Sequence, residues 1–305
     1  MDNQKILQRG YLVDDFRVFR LKDASLGDIP FHYHDFHKII LFLAGECDYI
    51  IEGRTWHLSP RDIIFVRSGE IHRPIPRKGV PYERIVIYIA PRFLRKFPSA
   101  QKTGRSFENG DEKTSPSPES QESLGQCFIM ARDERSVMHL TAGHTHDLLF
   151  HMEKFERVSH ESGYLNGLYT EMLFVELMIL LNRAMIDGEL DETSAAFDKK
   201  IQPVITFIND HLTEKIDIDE LAKKFFVSRS YLMHRFKDAT GYGIQKYITK
   251  KRLGLARARL VEERDETISA IGESVGFEEY VTFLRAFKSE FHSTPADYRK
   301  QYERK

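Results

Sequence analysis

From about residue 16 to residue 90, short apolar runs alternate with turn residues. Four stretches carry the pattern most clearly, and in order they read "KIILFLAG", "CDYIIEGRTWHL", "RDIIFVRSGEIHRP" and "ERIVIYIA". Alternation with a period of two is typical of half-buried strands, and Glu52 followed by Gly53 is typical of the tight turn of a hairpin. Short strands at this spacing predict an all-β barrel or sandwich.

Residues 101–125 interrupt this pattern with a polar stretch that is rich in Ser, Pro and Glu. Such a composition cannot bury enough apolar surface to form a core element, so it predicts a flexible loop. A further strand is predicted near "QCFIMA", which begins at Gln126.

Two helical patterns follow, "HDLLFHMEKFERVS" and "YLNGLYTEMLFVELMILLNRAMI". The second has an apolar stripe that is too broad for a helix facing solvent, formed by Leu173, Leu177, Leu180 and Leu181. The stripe predicts that two copies of the chain pair here as a homodimer. The alternative is that the stripe docks onto the strands of its own chain.

After a polar, exposed stretch at residues 188–198, the chain turns helical and basic. We therefore divide it into an N-terminal domain at 1–187, a linker at 188–198 and a C-terminal domain at 199–305. The net charge of the whole chain is -1, but its first part carries about five excess acids and its last part about four excess bases. A basic C-terminal domain indicates a polyanionic partner.

The C-terminal domain contains an internal repeat with an offset of about fifty residues. "IDIDELAKKFFVSRSYLMHRFKDATG" begins at Ile216, and "ETISAIGESVGFEEYVTFLRAFKSEFH" begins at Glu266. Each copy predicts a short helix, a tight turn and a second helix, as in a helix-turn-helix unit. Ser228 is a good N-cap in the first copy, and the small residues Ala222 and Gly272 let two helices cross closely. Periodicity alone leaves a plain helical bundle as an alternative.

These residues resemble the DNA-binding domain of the AraC/XylS family of transcriptional regulators. The most specific pieces are "GF" at Gly276 and Phe277, "FK" at Phe287 and Lys288, and "TPADYR" at 294–299. The resemblance covers about a hundred residues and implies two helix-turn-helix units joined by a long helix near residues 244–261.

One position departs from the family pattern. Val281 and Thr282 stand where the second unit usually has a Ser-Tyr pair, so its base readout is expected to differ. The connecting helix agrees with the physical requirement, because about 18 helical residues span roughly 27 Å and successive major-groove segments lie about 34 Å apart.

The helix faces opposite the core predict the residues that contact DNA. The ten candidates are Arg229, Ser230, Met233, His234 and Lys237 in the first unit, and Glu279, Tyr280, Thr282, Arg285 and Lys288 in the second. Arg285 is the best candidate for a guanine contact, because a guanidinium pairs with both O6 and N7. Phosphate contacts are expected for Arg229, Lys237, Lys250, Lys251 and Lys288. For each of these residues a plain solvated charge is the alternative.

The N-terminal strands resemble the cupin barrel that precedes this DNA-binding domain in many family members. "HYHDFHKIILFLAGECDYIIEG" resembles the first cupin motif and "LSPRDIIFVRSGEIH" the second. In metal-binding cupins the matching positions of His32, His34 and His72 bind the metal, but Lys38 stands where those proteins have a glutamate. Because an amine beside a divalent cation is unfavourable, we predict no metal here. His37 alternates in the opposite sense and is expected on the other face of its strand.

We predict instead that His32, His34, Lys38 and His72 line a pocket for a small organic effector. A sugar or a related metabolite is the family-level expectation. The alternative is that these imidazoles are ordinary residues of the barrel.

The combined prediction is an α+β multidomain chain with an N-terminal cupin-like β-barrel, two following helices and a C-terminal all-α double helix-turn-helix. It would regulate transcription, with double-stranded DNA, a small-molecule effector, a second copy of itself and RNA polymerase as partners, and with neither catalytic residues nor a cofactor. Two cysteines, Cys47 and Cys127, and no apolar run long enough for a membrane span indicate a cytoplasmic protein. The rival hypothesis is a metal-dependent cupin enzyme with a helical appendage.

Overall fold

Two sheets form the N-terminal part of the chain. The computed structural model describes residues 12, 14–23, 27–97, 123–131, 133–140, 145–188, 190–263 and 265–303, so most of the loop predicted at 101–125 lies outside the described residues. The strands within this part of the chain are β1 Phe16–Asp23, β2 His37–Ala44, β3 Cys47–Ile51, β4 Arg54–His57, β5 Asp62–Val66, β6 His72–Pro76, β7 Tyr82–Ile89, β8 Val137–Leu140 and β9 Leu190–Glu192. The larger sheet has the order β1-β7-β2-β5-β8-β9 and the smaller one β4-β3-β6.

The predicted hairpin turn is confirmed between β3 and β4. Glu52 and Gly53 have φ angles of 48° and 80°, so both central residues are left-handed, as a type I′ turn requires. Ile51 pairs with Arg54 across the turn. The turn places the Glu52 side chain at the end of the smaller sheet, where it meets the C-terminal domain.

Strand β2 shows how alternation separates two hydrophobic cores. Ile39 and Leu41 face one core, which lies between the larger sheet and the helices that follow it. Ile40 and Phe42 face the other core, which lies between the two sheets and includes Trp56. The predicted β domain is therefore present, and its interior-facing positions on β2 are the even-numbered ones.

The helices that follow the sheets differ in one place from the prediction. They are α1 Pro91–Leu94, α2 Gln126–Met130, α3 Thr145–Ser159 and α4 Asn166–Ile186, with a 3-10 helix at Asp133–Ser136. The strand predicted at "QCFIMA" is wrong, because this stretch forms α2 and the strand comes later, as β8. Cys127 and Phe128 are neighbours and both are buried, which a strand with one core face does not allow, and the amide of Cys127 donates to the side chain of Asn182 on α4 at 2.7 Å.

Helix α4 packs its leucine stripe against its own domain. Leu173, Leu177 and Leu181 are all buried in the core beside the larger sheet, and Leu180 is partly buried against the same core. The predicted use of this stripe as a dimer contact is therefore wrong, and the alternative of docking onto the chain's own strands is confirmed. Within the described residues, none of the helices has the length and apolar character that crossing a bilayer requires.

The stretch between the two domains is partly ordered by the sheets. Strand β9 lies inside the predicted linker at 188–198 and pairs with β8, and the amide of Ala196 donates to the carbonyl of Thr55 at 2.8 Å. The chain therefore stays attached to the N-terminal domain almost to residue 198.

Seven helices form the described part of the C-terminal domain. They are α5 Gln202–Asp210, α6 Ile218–Lys224, α7 Arg229–Thr240, α8 Ile244–Glu262, α9 Ile268–Ser274, α10 Tyr280–Phe291 and α11 Pro295–Glu303. Helices α6 and α7 form the first predicted unit, α9 and α10 the second, and α8 connects them. Each unit has its own core, with Leu232 and Phe236 fully buried in one and Phe283 and Phe287 in the other.

The close helix crossing in the second unit makes a stability prediction. A Cβ on Gly272 would lie 2.7 Å from Cδ1 of Phe283, whose ring is fully buried. Although alanine favours helices over glycine, we expect Gly272→Ala to lower the free energy of unfolding by about 1–3 kcal/mol, because the ring must move. Denaturant unfolding of the full chain measures this. Ser269→Ala on the exposed side of α9 is the control, and equal stability of both variants would remove the close-crossing argument.

Candidate DNA-binding surface and effector site

The second helix of each unit turns its polar face outward. Ser228 is the N-cap of α7, as predicted, and its hydroxyl accepts from the amide of Tyr231 at 3.2 Å. Glu279 is the N-cap residue of α10. All ten residues predicted to contact DNA are exposed, and they lie on α7, on α10 or at its cap. The described part of the N-terminal domain therefore leaves this side of both units open.

Some of the ten residues have partners within their own unit. Arg229 forms an ion pair with Asp219 at 2.5 Å, and the hydroxyl of Thr282 donates to Glu279 at 3.1 Å. Exposed pairs of this kind contribute little stability, so phosphate oxygens can replace them.

Lys250 and Lys251 do not lie where the sequence analysis placed them. Both are on α8 but face the N-terminal domain, so the prediction that they contact phosphates is wrong. The Lys251 amine donates to Glu52 Oε1 at 2.9 Å and to the carbonyl of Gly69 at 3.1 Å. The Lys250 amine pairs with Glu290 and lies 5.3 Å from the centre of the Tyr33 ring. A helix that is wrapped on several sides gives no sequence signal for which domain covers which face.

The structure brings the four predicted effector-site residues together. His32 and His72 pair through their backbones, and the centres of their rings are 4.3 Å apart. The ring of His34 lies 4.8 Å from that of His72, and the Lys38 amine is 3.1 Å from His72 Nε2. His34, Lys38 and His72 are buried and His32 is half-buried.

The hydrogen bonds of the three imidazoles fix their tautomers. Nδ1 of His32, His34 and His72 lies 2.9, 2.7 and 3.0 Å from the backbone carbonyls of Pro30, Phe36 and Glu70. Because a carbonyl only accepts, each Nδ1 carries the proton and donates it. In the neutral ring Nε2 is then an acceptor, so the cluster presents three acceptor nitrogens.

Burial keeps these rings neutral. Burial, aided by the charge of Lys38, lowers the pKa of His32 to about 4, and the same two causes lower the pKa values of His34 and His72 well below their usual range. Burial and then repulsion from Arg84 lower the pKa of Lys38 to about 7, so its amine is partly neutral near neutral pH. Nε2 of His34 is buried and has no hydrogen-bond partner among the described residues.

His37 lies apart from this cluster, as its alternation predicts. Its ring stacks on Phe128 with the ring centres 4.3 Å apart, and its Nδ1 accepts from the amide of Ser68 at 3.2 Å. Among the described residues, no group of three or more His, Cys, Asp or Glu side chains has the arrangement of a metal site.

Glu52, which no sequence pattern marked as functional, is a mostly buried carboxylate that joins the two domains. Glu52 accepts from the amide of Ile71, and across the interface from the Tyr247 hydroxyl, the Lys251 amine at 2.9 Å and the Asn209 side chain at 3.2 Å. Burial alone would raise the pKa of Glu52, but Lys251 and these hydrogen bonds outweigh it and hold the pKa below its ordinary value. The only signal in the sequence is an acidic residue in a turn that any polar residue could occupy.

A small cleft with a cavity volume of about 50 Å³ opens along the seam between the domains. Its charged lining is paired, with Arg95 to Glu262 at 2.6 Å and Arg257 to Asp35 at 3.6 Å. The cleft lies apart from the histidine cluster, whose rings pack against one another.

Two family models match the chain in the two regions just described. The model described as "AraC-like ligand binding domain" matches residues 22–149, which include the histidine cluster. The model described as "Helix-turn-helix domain" matches residues 221–301, which include all ten predicted DNA-contacting residues.

Curated relatives match over most of their length. The chain is 25% identical over 272 residues to "HTH-type transcriptional activator RhaS" of Escherichia coli, covering 89% of this chain and 88% of that protein. It is 27% identical over 270 residues to the protein of the same name from Citrobacter koseri, covering 88% and 87%.

Two solved structures illustrate the range of structural matches. ToxT from Vibrio cholerae is 12% identical with a TM-score of 0.35, covering 94% of this chain and 98% of that chain. The DNA-binding domain of AdpA in complex with a target DNA is 25% identical with a TM-score of 0.34, covering 35% and 96%.

Proposed function

This chain belongs to the AraC family of ligand-responsive, DNA-binding transcriptional regulators and is not an enzyme, and from that premise we propose that its ten exposed candidate residues contact promoter DNA. We also propose that an effector held by His32, His34, Lys38 and His72 controls this contact. The rival hypothesis of a metal-dependent cupin enzyme is therefore wrong. The N-terminal domain is called the sensor domain below, with the boundaries 1–187, 188–198 and 199–305 kept as a proposal.

The DNA-binding proposal rests on one observation. The second helix of each unit presents its polar residues to solvent although the sensor domain packs against the helix between them. Helix α8 has 19 residues and so spans about 28 Å, close to the roughly 34 Å between same-face major-groove segments. Two helices held in this way can enter successive segments of the major groove.

Replacing Arg285 and Lys288 in turn tests this assignment. Duplexes are first selected from a random pool with the full chain, and affinities are then measured for the selected duplex and its single-base variants. Arg285→Ala should relax discrimination at one base pair and cost about 1–3 kcal/mol, because a bidentate guanine contact is lost. Lys288→Ala should weaken all duplexes alike and reduce the salt dependence by about one counterion.

Two outcomes contradict the assignment. Equal losses on selected and random DNA for Arg285→Ala would remove that residue from base readout. If the parent chain selects no sequence at all, the proposed function fails.

The effector site supports a ligand that is rich in hydroxyl groups. Three neutral imidazoles offer acceptor nitrogens, and Lys38 offers a donor when protonated. One of these acceptors, on His34, has no partner among the described residues. Hydroxyls can satisfy both kinds of group, because each donates one hydrogen bond and accepts others. We propose a sugar or a related metabolite on this basis.

A second copy of the chain is proposed to pair through the outer face of α4. Five apolar side chains on this face are exposed by 40% or more, namely Leu165, Leu168, Met172, Ile179 and Ile186. Val175 lies between Met172 and Ile179 but is partly buried against the core of the sensor domain. From Leu165 to Ile179 the spacing of three and four residues is that of a coiled-coil seam, and Ile186 follows seven residues later. This face is distinct from the buried stripe that the sequence analysis had assigned to the dimer.

The name of the curated relatives supports activation of transcription, which would require contact with RNA polymerase. We propose this role for the chain too, with the cytoplasm as its place of action, because promoter DNA and the polymerase are there.

A further inference from the structure

Residues 31–35 lie between the histidine cluster and the DNA-binding domain, and their side chains alternate between the two. His32 and His34, the even positions, belong to the histidine cluster. Phe31, Tyr33 and Asp35, the odd positions, contact the DNA-binding domain. An extended backbone produces this alternation, because successive side chains point to opposite sides.

The first odd residue contacts the first helix-turn-helix unit. The carbonyl of Phe31 accepts from the Tyr242 hydroxyl at 2.6 Å. Its ring packs onto Gly241, the residue that ends α7, so closely that a Cβ there would lie 2.2 Å from the ring. Gly241 also has a φ of 75°, so glycine is favoured at this contact on two grounds.

The other two odd residues contact the second unit and its flanking helices. The Tyr33 hydroxyl donates to Glu290 on α10 at 2.9 Å. Asp35 accepts from the Tyr298 hydroxyl on α11 at 3.2 Å and lies 3.6 Å from Nε of the buried Arg257 on α8. One short segment therefore contacts both units and the helix that connects them.

The backbone of the segment is tied to the strand that carries His72. His32 and His72 exchange two backbone hydrogen bonds of 3.1 and 2.9 Å, and the amide of Gly69 donates to the carbonyl of His34 at 2.8 Å. The Glu52 carboxylate accepts a hydrogen bond from the amide of Ile71, which lies between Gly69 and His72 in the chain. The same carboxylate accepts hydrogen bonds from the Tyr247 hydroxyl and the Lys251 amine on α8. A displacement of the histidines is thus passed to the interface by covalent neighbours and direct hydrogen bonds.

We infer that residues 31–35 are the coupling segment of this regulator. An effector that binds His32 and His34 shifts Phe31, Tyr33 and Asp35 on the opposite side of the segment. This shift changes how the two helix-turn-helix units are held relative to each other. The inference rests on the proposed function. The signal travels through side chains on opposite faces of one extended stretch, and it does not require the linker at 188–198 to move.

A double-mutant cycle in the full chain tests the coupling segment without knowledge of the effector. The pocket side is changed by His34→Gln and the interface side by Tyr33→Phe together with Asp35→Asn. Affinity is measured for the duplex selected from the random pool. His34→Gln should change the affinity about fivefold or more when the interface side is intact, and less than about twofold when it is not, because coupled sites are non-additive.

His37→Gln is the matched control, since His37 follows the segment closely but stacks on Phe128 away from the cluster. It should leave DNA affinity unchanged in both backgrounds. If His34→Gln does not fold, His32→Gln at the half-buried edge of the cluster replaces it.

Amide hydrogen exchange provides a second measurement. Tyr33→Phe with Asp35→Asn should speed exchange in residues 241–262 and 288–299 of the full chain, because those segments lose their partners across the interface. Additive effects on affinity, or unchanged exchange, overturn the coupling segment. Both results are distinct from a failure of the proposed function, in which the parent chain selects no duplex.

Discussion

Replacing Lys38 by methionine should abolish the response to the effector while leaving DNA affinity in its absence within about twofold. The variant removes the amine that donates to His72 and keeps the apolar volume of the side chain. The variant leaves unchanged the proposed coupling segment and the ten residues proposed to contact DNA, so we expect the affinity for DNA to be retained. Candidate sugars identified by their shift of the melting temperature provide the ligand, and binding to the selected duplex is the measurement.

A stability measurement separates this result from misfolding. The pKa of Lys38 is about 7 in the folded chain and about 10.4 in the unfolded chain, so the unfolded state binds an extra proton between these values. Stability should therefore rise with pH across this window, and Lys38→Met should flatten that rise without lowering stability at neutral pH. A variant that folds and still responds fully to the effector would exclude Lys38 from the site.

Lys38→Glu offers the complementary change. It places a carboxylate beside three imidazoles whose Nδ1 atoms already donate to backbone carbonyls, an orientation that leaves Nε2 available to a cation. We expect the variant to gain affinity for zinc, nickel or manganese relative to the parent chain. Titration calorimetry of both proteins decides this, and tight binding of one metal by the parent would contradict the effector-pocket assignment.

Leu168→Glu combined with Met172→Glu should convert a dimer into a folded monomer. Both side chains are more than half exposed on the outer face of α4, so the substitutions cost the isolated chain little. In a dimer, however, four carboxylates would be buried in an apolar contact without partners, which is strongly unfavourable. Sedimentation velocity at micromolar concentration measures the change, and a monomeric parent chain would refute the proposed dimer.

The buried face of the same helix provides the contrast. Leu177 is fully buried beside Phe174 in the core, so Leu177→Glu should unfold the sensor domain instead of separating two copies. Far-ultraviolet circular dichroism distinguishes the two results. A folded monomer from Leu177→Glu would mean that the inner face of α4, not the outer one, forms the dimer contact.

Local sequence patterns correctly predicted the elements whose structure depends on residues close by in the chain. The alternation of β2 placed Lys38 inside and His37 outside, and the Ser228 cap marked the start of α7. The "QCFIMA" segment failed, because Asn182 on a distant helix organises it as α2, and no local period carries that information. The α4 stripe shows the same limit, since an apolar arc indicates that something covers it but not what.

The candidate site was predictable in its parts but not in its connections. Spacing and resemblance named the three histidines and Lys38, and the structure brings them together. Glu52 and Asp35 were missed because their role depends on Tyr247, Lys251 and Tyr298, which lie about two hundred residues or more along the chain. Such contacts depend on how the domains dock, a property that strand and helix periods do not encode.

The sensor domain contacts both helix-turn-helix units yet leaves exposed all ten residues that are proposed to contact DNA. Among the described residues none covers this surface, so we expect the effector to act in another way than by removing a cover. We expect it instead to change the distance and the angle between the two helices that are proposed to contact DNA. The response should then appear as a change in operator preference: chains with and without effector would favour half-sites separated by different numbers of base pairs. Selection of duplexes in both states, compared by the spacing of the enriched motifs, would make that preference visible.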